Sequence, residues 1–325
     1  MVDVYASRFK HEDTANQFEV HVGGYNGNDS RQLLFTNVTT ENGSFATGTA
    51  NNVYPLVRGM YDKRKDDIRA IGWNNEWKMD GWSLVADLSR STAKRDETNL
   101  ENNLQMVGTP NPLDSVNLAL RTGAFPTMDP GRDYSNPADL YVRDTIYGSG
   151  YGKTPHVEDK LNGFKLAASI QSSGALEKWF SSFDVGVHYS DRSKEKHQPE
   201  GNINLAGAPS TISSDLLYAP VDLGFAGVGT IPAWNVPGVV AKYMTFAPTE
   251  DKSYLIAKAW TVNEKITTTF AKANIEHEMG DVSLRGNFGV QVQRTDQSSD
   301  SKYWDGTAPA GQEVKPVHDG RPTPT

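Results

Sequence analysis

The chain has no cysteine among its 325 residues. That excludes disulfide staples and thiolate metal sites, and it suits a strand-and-loop protein that crosses an oxidising periplasm without mispairing thiols. It also has no apolar run of about eighteen residues or more, and its mean hydropathy is negative, so no helical membrane span is expected. Strands escape that test, because they present only every second residue to lipid. Excess positive charge is missing too. A formal net charge of −8 would release few counterions from phosphates, so nucleic acid is not an expected partner. The cluster Lys63, Arg64, Lys65 reads as a solvated loop face.

Catalytic signatures are likewise missing. There is no Gly-x-Ser-x-Gly elbow, no His-Glu-x-x-His and no phosphate-binding loop with its Lys, so neither an enzyme nor a cofactor is expected. The seven histidines are scattered, with His21 and His188 reading as isolated polar residues that face a wet interior. Asp129, Asp133 and Asp139 crowd one stretch but lack the ligand order and closing Glu of an EF-hand, so they read as turn-forming residues and no metal is expected. Asn111-Pro112-Leu113, followed by Val116 and Leu120 at helical spacing, predicts a capped short helix. Met1 is followed by Val-Asp-Val-Tyr, without the basic start, apolar stretch or cleavage site of a secretory leader.

What is present is a period-two pattern, with Gly, Asn, Ser, Thr and Asp abundant around it. From Val282, the residues Val282, Leu284, Gly286, Phe288, Val290 and Val292 share one face, while Ser283, Arg285, Asn287, Gly289, Gln291 and Gln293 share the other. Alternation over this length matches a strand crossing an outer membrane and exceeds the usual soluble strand. The pattern recurs with Phe18, Val20 and Val22 (interleaved with Glu19, His21 and Gly23), Trp82 to Leu88, Phe164 to Ile170, Phe183 to Tyr189 and Thr269 to Ile275. Eight strands are predicted, at about 2–9, 16–25, 66–78, 82–95, 159–171, 179–194, 264–278 and 282–296.

Their connections alternate in length. Met79-Asp80-Gly81 and Met279-Gly280-Asp281 are tight hairpin turns, and Ser172 to Lys178 is a short link. On the other side the connections run from Asn26 to Lys65, Ser91 to Glu158, Asp191 to Asn263 and from Thr295 onward. Loops this long are unusual in compact soluble domains and expected outside a membrane barrel. Trp77, Trp82, Trp179 and Phe180 sit beside the short turns, where an aromatic girdle would meet the membrane interface. The fold class is therefore all-β, an antiparallel transmembrane β-barrel segment with long extracellular loops.

Two stretches carry a family resemblance. Asn263 to Ser299 (NEKITTTFAKANIEHEMGDVSLRGNFGVQVQRTDQSS) resembles a strand–turn–strand block in the barrel of TonB-dependent outer-membrane receptors, and Phe180 to Lys196 (FSSFDVGVHYSDRSKEK) resembles an earlier strand of the same barrels. The opening VDVYASRF is similar to the first barrel strand after the plug domain, and the nearest branch is a proteobacterial one associated with carbohydrate uptake. The resemblance implies that 1–325 is a partial receptor barrel, about eight of about 22 strands, without the leader, TonB-contacting segment, plug and C-terminal strands of the family.

The resemblance further implies a Gram-negative outer-membrane location and a transport role: capture of a scarce extracellular solute, such as an oligosaccharide or siderophore, and its import with TonB-derived energy. Implied partners are outer-membrane lipid, the solute, and TonB acting through the absent N-terminal region. Aromatics in the loops are the natural ligand-gathering groups, because sugar rings stack on flat faces; the candidates are Tyr54, Tyr61, Trp234, Tyr243, Trp260 and Trp304. A soluble β-rich carbohydrate-binding or hydrolase domain and a passive porin-like barrel are the alternatives.

Overall fold

A computed structural model describes every residue except 23–30, 121–122, 146–147, 281, 320 and 323–325, with only the backbone described at 321–322. The protein is all-β and its sheets are antiparallel. One meander dominates: β1 (Val2–Glu19), β2 (Leu56–Met79), β3 (Trp82–Met106), β4 (His156–Gln171), β5 (Phe180–His197), β6 (Trp260–Met279), β7 (Val282–Trp304) and β8 (Val314–His318). Each pairs with its neighbour in chain order. The sheet is open; among the described residues β1 pairs only with β2, and no closed barrel forms.

The short turns stand where the sequence puts them. Met79 faces Trp82 across Asp80-Gly81, and Met279 faces Val282. Gly81 and Gly280 take φ of +74° and +63°, a region where a side chain is strained. Asp281 and Gly23 lie outside the described residues. Between β4 and β5 the link holds a 3₁₀ turn, Gly174–Lys178.

Three expectations are corrected. The predicted strands 2–9 and 16–25 are largely one strand ending at Glu19, because Lys10 to Asn16 contains no Gly or Pro, its ladder to β2 is unbroken, and Glu12 pairs across to Lys63. His21 consequently lies beyond the strand. Lys63, Arg64 and Lys65 belong to β2 rather than a loop, with Lys63 3.5 Å from Glu12 and Lys65 2.9 Å from Asp67. The predicted helix after Leu113 is a strand, Asp114–Ala119, because alternating Val116 and Leu118 pack against the strand Ser44–Val53.

The long connections are folded. Leu34–Glu41, Ser44–Val53, Asp114–Ala119 and Thr127–Pro130 form a four-stranded sheet. Gly150–Lys153 and Glu200–Leu205 extend the main sheet beside the far end of β3. A helix, α1 (Val236–Tyr243), begins at Asn235, whose side chain accepts from the Gly238 N–H, with Pro237 in the first turn. Together they form a cap. Its core gathers Trp234, Val236, Val239, Ile203, Ile231 and Leu140 against Val57, Leu100 and Leu104 of β2 and β3. Trp234 is the largest fully buried side chain; its indole N–H donates to Asn102 Oδ1 at 2.8 Å. Gly59 makes room for it, since a Cβ there would lie 2.6 Å from the indole.

Candidate functional site

Residues opposite one another in an antiparallel pair share a face, so the register sorts the wall into two surfaces. One row reads Trp77, Leu84, Ala168, Val185, Ala271, Val290, apolar throughout. A row on the other face reads Asn74, Asp87, Lys165, His188, Thr268, Gln293, polar throughout. On the apolar face Val4, Ile71, Leu88, Leu166, Val185, Phe288, Val290 and Val292 are all exposed, Val290 by 66%. A water-soluble monomer seldom exposes a contiguous apolar patch beyond a few hundred Å². The opposite face is hydrogen-bonded instead: Lys272 Nζ lies 2.7 Å from Asp184, and Asn74 donates to Asp87 at 3.1 Å.

The band has borders. At the turn end stand Trp73 and Trp77, in edge contact at 6.3 Å, and Trp179 stacked on His277 at 4.5 Å. At the cap end the same face turns polar with Arg90, Asn162, Asp191, Lys265 and Asp296, all in one row. Along β7 the band runs from Val282 to Val292, about eleven residues.

The register also sets an inclination. Trp82, at the first turn, is level with Ile170, Phe183, Ala273 and Phe288, yet the last turn lies about six residues farther on, at Met279 and Val282. Six residues are about 20 Å along a strand, and the four inter-strand steps are about 19 Å across, so a line through the turns meets the strands at about 45°. That is the usual tilt of membrane-crossing strands, and it makes the eleven-residue band about 24 Å tall.

Above the polar row, the same face carries a groove of 670 Å³ lined by residues that include Arg64, Asp66, Arg95, Glu97, Lys153, Asp159, Lys194, Lys196 and Trp260. Asp66 accepts from Arg64 at 2.5 Å and from Arg95 at 2.7 Å; Asp159 accepts from Arg192 at 2.5 and 2.9 Å. A hollow of 460 Å³ adjoins it, sharing Lys153 and lined also by Tyr61, Tyr151, Glu200 and Lys258. Glu200 is buried there and accepts from the Tyr151 hydroxyl at 2.6 Å, from Gln198 at 2.7 Å and from Lys258. Burial pushes its carboxyl pKa up, but the hydrogen bonds from Lys258, Tyr151 and Gln198 outweigh that and hold it below the ordinary value.

The six aromatic candidates separate. Trp260 lines the groove and Tyr61 the hollow. Desolvation, with its hydroxyl bonded to Glu12 at 2.7 Å, pushes Tyr61 up to about 12. Trp234 is sealed in the cap core. Tyr54 is buried, donating to the Met106 carbonyl at 2.6 Å and accepting from Arg143 at 2.8 Å. Tyr243 ends α1 and accepts from the Ser213 N–H at 3.0 Å. Trp304 ends β7, on the face of the apolar band and away from the groove. The lysines of the groove were not singled out from the sequence, although Ser193-Lys194-Glu195-Lys196 places two cations on one face of a strand.

His188 lies on the polar face between Lys165 and Thr268. Asp133 and Asp139 shape turns, Asp133 accepting from the Ser135 N–H at 2.8 Å and Asp139 from Asn136 at 2.8 Å. Among the described residues, no three His, Asp or Glu side chains converge to hold a metal ion. The groove offers charged side chains and one flat indole face to a ligand. No protein-family model, curated protein or solved structure matches this chain.

Proposed function

We propose that this chain forms part of the wall and the external cap of a TonB-dependent receptor in the outer membrane of a Gram-negative cell. There it gathers a scarce solute, such as an oligosaccharide or siderophore, for import with TonB-derived energy. The observation that carries the reading is the exposed apolar face, bordered by tryptophans at one end and charges at the other. In water such a face would drive association; in a bilayer it is solvated. The 45° inclination of the register and the polar opposite face support the same reading, since a barrel wall meets lipid on one side and water on the other. The family assignment rests on the resemblance of 180–196 and 263–299.

The test is folding from urea into vesicles whose acyl chains are brominated at defined depths. Quenching of tryptophan emission, strongest for labels near the interface, is expected from Trp73, Trp77 and Trp82. A monodisperse chain that stays in water without detergent, with unquenched emission, would favour a soluble β-rich carbohydrate-binding or hydrolase domain. In the intact transporter, solute uptake that persists without TonB would favour a passive porin-like barrel.

A further inference from the structure

The groove on the inner face holds more cations than its own anions can use, in a protein whose net charge is −8. Six cationic residues, Arg64, Lys94, Arg95, Lys153, Lys194 and Lys196, line it against three anionic ones, Asp66, Glu97 and Asp159, and Lys94 is paired with Glu158 at 2.9 Å. Asp66 is shared by the two arginines, Glu97 lies 3.8 Å from Arg95, and Asp159 is gripped by Arg192. Lys153, Lys194 and Lys196 are left with no ion-pair partner among the described residues. Lys194 and Lys196 are half-buried, and Lys194 acts on the Asp159 carboxylate only from beyond ion-pair distance. They are two residues apart on one strand, about 7 Å. Lys196 stands directly across from Trp260, which offers a flat face beside the charge.

We propose that Lys153, Lys194, Lys196 and Trp260 form a subsite for an acidic sugar, a ring-bearing solute with carboxylates repeated along it. The carboxylates meet the three ammonium groups and a ring lies against the indole. A neutral oligosaccharide would leave the ammonium groups unpaired, whereas a compact inorganic anion would leave the indole unused. The inference rests on the inner face lining a water-filled lumen and narrows the solute that such a wall admits.

The experiment is calorimetric titration of the whole chain, folded in detergent micelles with its strand content checked by circular dichroism. The probes are a galacturonate trimer, a neutral glucose trimer and inorganic phosphate. The galacturonate trimer is expected to bind at least about tenfold more tightly than either comparison probe, and to weaken as salt rises. The double variant Lys194→Gln/Lys196→Gln should remove that preference, and Trp260→Leu should weaken both trimers, while Lys78→Gln near the turn changes nothing. Equal binding of the neutral trimer, unchanged affinity in the double variant, or no binding by the folded chain would overturn the subsite. Phosphate bound as tightly as the galacturonate trimer would overturn the ring-bearing part of the assignment. Binding without vesicle insertion would defeat the lumen reading while supporting the subsite, and insertion without binding would do the reverse.

Discussion

The two ends of the wall use the same pleated strands in opposite ways. Near the short turns, Val290 and its neighbours point outward and are exposed. Near the cap, Val57, Leu100 and Leu104, on the same face of the same sheet, are buried under Trp234 and α1. The alternation of side chains is continuous from one end to the other; what changes is the material that covers the face. The cap supplies its own apolar cover for the strands that rise above the band, while the band itself is exposed. An apolar face identifies a partner only when the rest of the chain has been searched for its cover.

The sharpest way to break this contrast is to remove the cover. Trp234→Ala should cost the cap about 3–5 kcal/mol, read as faster amide exchange in 198–259 and in the cap ends of β2 and β3, with the band unaffected. Next in size is a charge on the uncovered end. Val290→Arg should destabilise the chain folded into vesicles by about 2–4 kcal/mol, whereas Gln291→Arg on the opposite face should change its stability by about 0.5 kcal/mol or less. Equal effects at the two positions would mean that neither face meets lipid.

Smaller still is Glu200→Gln, expected to destabilise the chain by about 1–3 kcal/mol in urea titration at neutral pH. Because the folded carboxyl titrates below its unfolded value of 4.5, its contribution is complete above that pH and fades as pH falls through the lower folded value. Wild type and variant should therefore converge in acid, and a gap that widens there would contradict the hydrogen-bonded arrangement. Gly81→Ala should cost about 1 kcal/mol through its left-handed backbone, measured by the same titration, leaving the band and the cap equally affected.

The wall was legible because period two and tight Gly-containing turns are local signals. The reach of each strand was not. β2 begins at Leu56 rather than near residue 66, because from Asp62 to Asp67, between the band and the cap, both faces carry charged residues and the hydrophobic alternation that marks a strand disappears while the ladder continues. Polar residues such as Lys63 and Asp62 look like loop until their cross-strand partners are known. Spacing alone could not decide between helix and strand for Leu113 to Leu120, since Val116 serves either period; pairing with Ser44–Val53 settled it. The start of α1 does carry a local signal, an N-cap Asn235 followed by Pro237 in the first turn.

Of the aromatic candidates, Trp260 lines the groove, Tyr61 borders the hollow from the opposite face of β2, where it packs on the cap core and bonds Glu12, and Trp234 and Tyr54 are interior. Composition cannot separate these cases, because an indole that stacks on a ligand and one that fills a core are the same residue. The groove itself is assembled from β2 to β6 and from Gly150–Lys153, segments far apart in the chain, so no window of sequence contains it.

Among the described residues β1 is hydrogen-bonded to a strand on one side only, which leaves alternate amides and carbonyls along its other edge. In water these groups bind solvent, but in hydrocarbon each unsatisfied one costs several kcal/mol. That edge therefore behaves as a binding site whose ligand is another strand, and its occupancy follows mass action: dilute chains stay apart, crowded chains pair edge to edge, and any strand tethered nearby wins by its high effective concentration.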